Sequence, residues 1–343
     1  MTEQITAAFY RGNKSFEVKT ISPDAPASGE VQIRVAYCGI CGTDLHAYNG
    51  HMDQRIGFDR ILGHEMSGTI SAIGDGVEDW SVGDRVVVRP LDPGEDNPAI
   101  QRGHSHISHN LKFLGLDSQG AMQQLWTVPA FTLHRVPDHV SLRDAALIEP
   151  LAVACHDVRL SGLQPGEDVL VIGGGPIGML VAMVAKAAGG KVTISEINEN
   201  RLALAEKLGF ETMNPTQTDP VAEIKRKTGE KGADVIFEVS GVQPAVDLMT
   251  AVGATRARIV MVAIHAQKPT IDLFQFFWRE LQLIGARVYE PEDYEKAIAS
   301  IAAGEIDADA MITDIRPLED INAAFDELGK NPTAMKSLLK ISE

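Results

Sequence analysis

Cysteines and basic residues are scarce in this sequence. Three cysteines in 343 residues are too few for the disulfide scaffold of a small secreted protein, and they fit a reducing, cytoplasmic location. The 31 lysines and arginines are outnumbered by 47 aspartates and glutamates, which gives a net charge of −16. Because nucleic acids and anionic membranes bind basic surfaces, we expect neither as a partner.

A long, uninterrupted apolar run is also missing. The N-terminus has no apolar segment after basic residues, so we expect no secretory signal. The most apolar stretch, residues 169–190, contains six glycines together with Pro176 and Lys186. It divides better into a strand, a turn and a helix than into a membrane span. The length itself predicts two domains.

The hydrophobic pattern changes along the chain. The first 150 residues contain short runs rich in Val, Ile and Thr between Gly, Pro and Asp, which predicts a β-rich barrel or sandwich. From about Ser161, apolar strands alternate with helical segments, which indicates βαβ units and a parallel sheet. After Gly285 the pattern becomes irregular and ends in one helix, so we expect this tail to return to the N-terminal domain.

A glycine-rich turn connects the first predicted strand of the second half to a helix. Gly173 permits the tight turn, Gly175 lets a pyrophosphate approach the backbone, and Gly178 lets the helix pack on the strand. Pro176 and Ile177 complete the motif at the start of the helix, where free N–H groups attract phosphate. The alternative is a purely structural glycine turn.

The next predicted strand ends in an acidic residue. Glu196 follows Gly178 by 18 residues, at the position where a carboxylate accepts the ribose hydroxyls of NAD and repels the 2′-phosphate of NADP. Arg201 is placed to contact the same ribose and weakens this exclusion. We therefore predict an NAD site, against the alternative of a solvated glutamate.

A second group of residues has the chemistry of metal ligands. Cys38 and Cys41 form a Cys-x-x-Cys pair, which is compatible with a redox dithiol, with half of a structural zinc site, or with one cysteine that binds a catalytic metal. His64 and Glu65 follow in sequence, and Glu149 lies just before the dinucleotide domain. An open catalytic zinc site uses three protein ligands and keeps one position for water or substrate.

With both features the sequence resembles the zinc-dependent medium-chain dehydrogenase/reductase family over essentially its whole length. The resemblance is carried by the segments CGICGTDLH, ILGHEMSGTI, VGDRVVV, IEPLAVACH, VLVIGGGPIG and DLFQFFWRELQLIGARVY. It is strongest for the polyol and secondary-alcohol branch, which includes sorbitol, butanediol and threonine dehydrogenases. It implies an α/β protein with a Rossmann-type doubly wound parallel sheet in residues 153–287 and a β-rich, GroES-like catalytic domain in residues 1–152 and 288–343.

The resemblance also implies roles for individual residues. Cys41, His64 and the carboxylates Glu65 and Glu149 fall on the family's zinc-ligand positions, and it leaves open which glutamate binds at rest. Thr43 and His46 fall on the family's proton relay from the substrate oxygen to solvent, and we count Glu65 with them as catalytic. Cys38 and Cys155 are expected to be buried, structural thiols.

One segment departs from the family pattern. Relatives with a second, structural zinc carry four closely spaced cysteines after the GDRV segment, whereas residues 91–110 contain none. We therefore expect one catalytic zinc and no structural zinc. His104, His106 and His109 lie in this segment, but their spacing matches no closed metal site, so we expect a solvated or interface loop.

The predicted function is hydride transfer between a secondary alcohol, a diol or polyol, and NAD, with the ketone as product. The alternatives are a zinc-free quinone reductase, a non-catalytic dinucleotide-binding protein and a redox sensor built on Cys38 and Cys41. Family resemblance implies a homo-oligomer, either a dimer or a tetramer. An aromatic helix containing Phe274, Phe276, Phe277 and Trp278 is expected to lie in the core or at a subunit interface.

Overall fold

The structure is a computed structural model that describes residues 4–328 and 330–342. It divides into two compact units: residues up to Glu149 together with those from Glu290 onward form the first, and Pro150–Tyr289 form the second. Within the described residues no helix combines the length and the apolar character needed to cross a lipid bilayer.

The described residues form eighteen β-strands. In chain order they are β1 Ile5–Gly12, β2 Ser15–Ile21, β3 Glu30–Gly39, β4 Arg60–Ile61, β5 Glu65–Ile73, β6 Arg85–Val88, β7 Leu91–Asp92, β8 Lys112–Phe113, β9 Leu125–Pro129, β10 Leu133–Arg135, β11 Asp168–Ile172, β12 Lys191–Ser195, β13 Glu211–Met213, β14 Ala233–Glu238, β15 Gly253–Met261, β16 Gln282–Gly285, β17 Ile312–Pro317 and β18 Lys336–Lys340.

The described residues also form thirteen α-helices, together with three single turns of 3₁₀ helix at Ser105–Ile107, Ala130–Thr132 and Leu318–Asp320. The α-helices are α1 Gly42–Tyr48, α2 Asp53–Ile56, α3 Pro98–Gln101, α4 Leu142–Ala145, α5 Ile148–Ser161, α6 Pro176–Ala187, α7 Glu199–Lys207, α8 Pro220–Lys227, α9 Gln243–Val252, α10 Leu273–Arg279, α11 Pro291–Ala302, α12 Ala308–Met311 and α13 Ile321–Leu328.

The first unit is built around a seven-stranded sheet with the order β10-β6-β5-β3-β18-β17, in which β9 also pairs with β3. A three-stranded sheet, β2-β1-β4, belongs to the same unit. Side chains such as Val31, Ile33 and Trp126 are buried in its apolar core, together with Phe325 from α13. Strand β3 pairs with β5, β9 and β18, and its carboxyl end leads directly to the metal-ligand candidates.

The second unit contains a six-stranded, wholly parallel sheet with the order β13-β12-β11-β14-β15-β16. Its strands are short, apolar and buried, as expected when helices cover both faces of a parallel sheet. The strand order reverses on either side of β11, and ligands bind at such a switch point, beyond the carboxyl ends of the strands.

The fold class predicted from the sequence is confirmed: a parallel α/β sheet is combined with a β-rich unit. The tail after Gly285 does return to the first unit, because β18 pairs with β3. Helix α11 and strands β17 and β18 were not predicted. The buried side of α11 combines Tyr294, Ala297 and Ile298 with the polar Asp293 and Ser300.

Candidate active site

Three predicted metal ligands meet in the first unit. One ligand atom from each of Cys41, His64 and Glu65 lies within 4.8 Å of the others, and both His64 and Glu65 are buried. Cys41 immediately precedes α1, whereas His64 and Glu65 stand at the start of β5. The register places Gly39, at the end of β3, opposite Glu65, so the sheet itself brings the two segments together.

The loop geometry around Cys41 comes from its role as the N-cap of α1. The Thr43 N–H donates to Cys41 Sγ at 3.5 Å, and the Cys41 N–H donates to Asp44 Oδ2 at 2.9 Å. These reciprocal bonds form a capping box, which satisfies backbone donors that a helix start leaves free. They also fix the Cys41 side chain at the start of α1.

Asp44 supports the histidine as well. Its free oxygen, Oδ1, lies 3.7 Å from His64 Nδ1, and both groups are buried. Burial alone would lower the pKa of His64, but Asp44 and the Cys41 thiol raise it to about 10. The pocket therefore favours positive charge. A carboxylate behind a histidine is also the usual way in which a metal-binding imidazole is oriented.

The Glu65 carboxylate has a second cationic neighbour, which sequence reasoning missed. Lys336 Nζ forms an ion pair with Glu65 and donates to the Ile40 carbonyl at 3.2 Å. Burial alone would lower the pKa of Lys336, but Glu65 and Cys41 raise it overall, so the ammonium keeps its proton. Its signal in the sequence was a lysine that precedes the two leucines of the terminal strand, which also ends in the exposed Lys340.

Glu149 lies in the same region. It is buried and acts electrostatically on both His64 and Lys336. Among the described residues, the set with ligand atoms within 4.8 Å contains Glu65 and not Glu149. The structure thus places Glu65 with Cys41 and His64, and Glu149 at the periphery of that set.

Cys38 does not share the environment of Cys41. Its side chain is fully buried on β3, and burial, together with Asp44 and Glu65, raises the pKa of its thiol well above the ordinary value. A thiol that resists ionisation is a poor metal ligand and a poor redox nucleophile. The burial of Cys38 therefore disfavours a redox dithiol made of Cys38 and Cys41. Cys155 is also buried, as expected for a structural thiol.

The donor set fits zinc. A thiolate, an imidazole and a carboxylate are the three ligand types that zinc accepts, and three protein ligands leave one position open for catalysis. The residues around them add what such a site needs: Asp44 behind the histidine, and a buried cation behind the carboxylate.

Thr43 and His46 are three residues apart on α1, so their side chains lie on the same face of the helix. His46 is exposed, and its Nδ1 lies 3.4 Å from Nδ1 of another exposed histidine, His51. The helix therefore carries a hydroxyl near the metal-ligand cysteine and an imidazole that reaches solvent. His51 was missed because it lies outside the CGICGTDLH segment.

In the second unit, the glycine motif has the geometry of a phosphate cradle. Gly173 has φ +109°, a conformation that only glycine adopts easily. A methyl group on Gly178 would overlap the Gly173 carbonyl, so helix α6 packs closely against the turn. Gly175 is the N-cap of α6 and Pro176 is its first residue, followed by Ile177, so the helix start offers free N–H groups.

Glu196 lies at the carboxyl end of β12, beside this turn. Its two oxygens accept hydrogen bonds from the N–H groups of Gly174 (2.7 Å), Ile197 (2.7 Å) and Asn198 (2.9 Å). Arg201 Nη1 is 3.7 Å from Glu196 Oε2. These residues border a cavity of about 620 Å³, large enough for the adenosine part of a dinucleotide, whose lining includes Gly173, Gly175, Glu196, Arg201, Ser240 and Pro244.

Two family models match the chain: the alcohol dehydrogenase GroES-like domain over residues 27–138, and the zinc-binding dehydrogenase domain over residues 176–303. The chain is also 53% identical over 334 residues to 2-dehydro-3-deoxy-L-galactonate 5-dehydrogenase from Pseudoalteromonas atlantica, and the match covers 97% of this chain and 98% of that protein. The chain belongs to the zinc-dependent medium-chain dehydrogenase family.

Solved structures of this dehydrogenase family share the whole fold. The 2R,3R-butanediol dehydrogenase of Bacillus subtilis is 32% identical, with a TM-score of 0.91 and coverage of 98% of this chain and 100% of that one. A zinc-binding dehydrogenase described as putative, from Sinorhizobium meliloti and bound to NADP, is 27% identical, with a TM-score of 0.92 and coverage of 98% and 99%.

The predicted enzyme class is confirmed by these comparisons. This dehydrogenase is an oxidoreductase of the alcohol and polyol type that uses zinc and a nicotinamide cofactor to oxidise a secondary alcohol. The alternatives of a zinc-free quinone reductase and of a non-catalytic dinucleotide-binding protein are not favoured, since relatives along the full chain are named dehydrogenases.

Two expectations for the dehydrogenase were partly wrong. The histidine segment is not simply solvated: His104 and His109 are exposed, but His106 is buried, with Nδ1 3.5 Å from Glu290 Oε1. The aromatic helix α10 is core only in part: Phe276 packs against the core of the second unit, whereas Trp278 is 68% exposed and Phe277 is 78% exposed. The helix is too short, and lies too near the sheet edge, to bury all of its aromatic side chains.

Proposed function

We propose that this enzyme oxidises the C5 hydroxyl of 2-dehydro-3-deoxy-L-galactonate to a ketone with NAD as hydride acceptor. The observation that carries the proposal is the cluster of Cys41 with the buried His64 and Glu65 in a chain 53% identical to a dehydrogenase of that name. A sugar acid of this kind is a polyhydroxylated secondary alcohol, which agrees with the polyol branch of the family.

Cys41 and His64 would hold a single zinc ion, with Glu65 or Glu149 as the third protein ligand. When bound there, zinc supplies Lewis-acid chemistry that favours loss of the hydroxyl proton, and the nicotinamide supplies the hydride acceptor. Asp44 keeps the imidazole of His64 oriented through Nδ1. The absence of cysteine from residues 91–110 supports one zinc rather than two.

The proton released from the substrate leaves by residues of α1. Thr43 is only partly exposed and stands next to the ligand Cys41, so its hydroxyl accepts the proton and passes its own towards His46. His46 is exposed and releases the proton to solvent. Glu65, whose carboxylate lies beside Cys41 and His64, would serve there as an exchangeable ligand of the metal.

The cofactor is held by the glycine turn and by Glu196. Gly173, Gly175 and Gly178, with Pro176 and Ile177, bind the pyrophosphate at the start of α6. Glu196, fixed by three backbone N–H groups, accepts the adenosine ribose hydroxyls and favours NAD. Arg201 adds a positive charge beside it, so NADP is disfavoured but not fully excluded.

The domain assignment follows the same division. Residues 1–152 and 288–343 form the catalytic domain, and residues 153–287 form the NAD-binding domain. The changeovers of the two compact units at Glu149 and Glu290 support this assignment. We also assign the enzyme to the cytoplasm, supported by a content of three cysteines in 343 residues, which is too low for a disulfide scaffold.

The enzyme also forms a homo-oligomer, a dimer or a tetramer, in this proposal. Strand β16 stands at the edge of the six-stranded sheet, with Leu283 half-exposed, and α10 presents Phe274, Phe277 and Trp278 to solvent. Open sheet edges and clustered exposed aromatic side chains are typical of association surfaces. Light scattering coupled to size-exclusion chromatography measures the assembly directly.

The test is NADH formation by purified enzyme with 2-dehydro-3-deoxy-L-galactonate, (R,R)-butanediol and sorbitol, before and after chelation. We expect the sugar acid to have the highest kcat/KM, with activity lost on chelation and restored by zinc. Cys41→Ser should lose metal and turnover but keep NAD binding, whereas Cys155→Ala serves as the matched thiol control. Full activity of Cys41→Ser, or equal turnover of all three alcohols, would contradict the proposal.

A further inference from the structure

A buried lysine contacts a carboxylate of the metal-ligand set. Lys336 begins β18 and is only 3% exposed, and its partner Glu65 is 1% exposed. Besides the ion pair with Glu65, the ammonium donates to the Ile40 carbonyl at 3.2 Å. Burying a lysine is costly unless a counter-charge compensates it, so this pair is a specific feature rather than a casual surface contact.

Three strands hold the pair in place. Gly39, at the end of β3, is registered with Glu65 of β5 on one side and with Leu338 of β18 on the other. A methyl group on Gly39 would overlap the Glu65 carboxylate and lie 3.2 Å from Glu65 Cβ. The carboxylate therefore occupies the space above a glycine, where β18 delivers the Lys336 side chain to it.

The same carboxylate also faces the metal position. Its ligand atom lies within 4.8 Å of those of Cys41 and His64. Glu65 thus has two competing cationic partners, the Lys336 ammonium and the ion that the ligand set would hold. A carboxylate can neutralise either partner, but close coordination to a metal weakens its bond to the ammonium.

The charge count shows why a cation is needed here. A Cys41 thiolate and the carboxylates of Glu65 and Glu149 carry three negative charges, and a zinc ion carries two positive charges. Lys336 offsets the one negative charge that remains among these groups, and the Asp44 carboxylate beside them adds to the demand for a cation. Without the lysine, the excess negative charge would hold the metal more tightly, and Glu65 would have no partner other than the metal.

We propose that Lys336 is a positioning residue that keeps Glu65 an exchangeable metal ligand by competing with the metal for its carboxylate. This inference rests on the proposed zinc site formed by Cys41 and His64. It predicts that removing the ammonium locks Glu65 onto the metal, which makes the metal slower to leave and the open coordination position harder for substrate to reach.

The experiment compares Lys336→Met with the wild-type holoenzyme and with Lys340→Met. Lys340 ends the same strand but is exposed, so it controls for loss of a lysine from β18. Zinc release to a chromogenic chelator is followed without substrate. We expect release from Lys336→Met to slow about tenfold, at the lower end of the changes produced by altering partners of metal ligands. Lys336→Arg should behave like the wild type.

A spectroscopic measurement separates positioning from a structural role. In cobalt-substituted enzyme, the visible absorption of Lys336→Met should shift to the weaker pattern of a higher coordination number, whereas Lys336→Arg keeps the wild-type spectrum. In a Glu65→Gln background, adding Lys336→Met should no longer slow metal release, because the competing carboxylate has gone. If Lys336→Met does not fold, Lys336→Gln replaces it in every arm.

Opposite results would overturn the inference. Faster or unchanged zinc release from Lys336→Met and Lys336→Gln would show that the lysine only supports the fold. Retention of the slow release in the Glu65→Gln background would show that Glu65 is not its target. Failure of the proposed function would look different: wild-type enzyme would not oxidise the sugar acid, while the metal-release rates would still follow the predicted order.

Discussion

Replacing two glycines of the phosphate turn should separate cofactor binding from folding. Gly175 and Gly178 are three residues apart, yet a methyl group meets different surroundings at each. At Gly175 the nearest atom within the protein is Arg201 Nη1, 3.7 Å away, and φ is −69°, which alanine adopts readily. At Gly178 a methyl group would overlap the Gly173 carbonyl oxygen and lie 2.9 Å from its carbon.

The expected free energies follow from these contacts. In Gly178→Ala, overpacking against backbone costs about 3 kcal/mol, and the better helix propensity of alanine returns about 1 kcal/mol, so unfolding becomes easier by about 2 kcal/mol. In Gly175→Ala, loss of a good N-cap costs roughly 0.5 kcal/mol, and the lower entropy of the unfolded chain offsets a similar amount. Its stability should therefore be unchanged.

Cofactor binding should show another pattern. The methyl group of Gly175→Ala projects where the pyrophosphate would lie, so NAD affinity should fall by about 1–3 kcal/mol, or roughly 5- to 150-fold in Kd. Gly178→Ala should lose both stability and affinity. Thermal unfolding and fluorescence titration with NADH measure the two quantities. A Gly175→Ala variant that binds NADH like the wild type would refute the placement of the cradle.

Three further predictions concern the cofactor preference, the proton path and stability against pH. Glu196→Gln should raise kcat/KM for NADP relative to NAD by on the order of tenfold, because it removes negative charge near the 2′-phosphate; an unchanged ratio would place ribose recognition elsewhere. His46→Asn should slow turnover about a hundredfold at neutral pH, with recovery in imidazole buffer; no recovery would argue against the relay. Burial raises the pKa of Asp117, but its bonds to Arg55 lower it overall, so its stabilisation is present above the unfolded pKa of about 3.9 and disappears as the pH falls through the folded pKa. Asp117→Asn should therefore cost under about 1 kcal/mol at neutral pH and nothing in strong acid, as measured by urea unfolding at both pH values.

Local patterns in the sequence were enough for the fold class and for much of the site. The switch from short β runs to alternating strands and helices reflects periodicities that any buried strand or amphipathic helix must have. Gly173, Gly175 and Gly178 depend on contacts within a few residues of one another. His64 and Glu65 are neighbours in the chain, so the sequence alone already placed two candidate ligands together.

Only the tertiary structure decided which distant groups act on those residues. Lys336 reaches Glu65 across 271 positions because β18 pairs with β3, and local periodicity does not determine which strands become neighbours in a sheet. The position of Glu149 at the periphery of the ligand set, and the exposure of Trp278 instead of its burial, were decided in the same way. Charge compensation and burial depend on the summed surroundings of a side chain, and these exist only once the chain has folded.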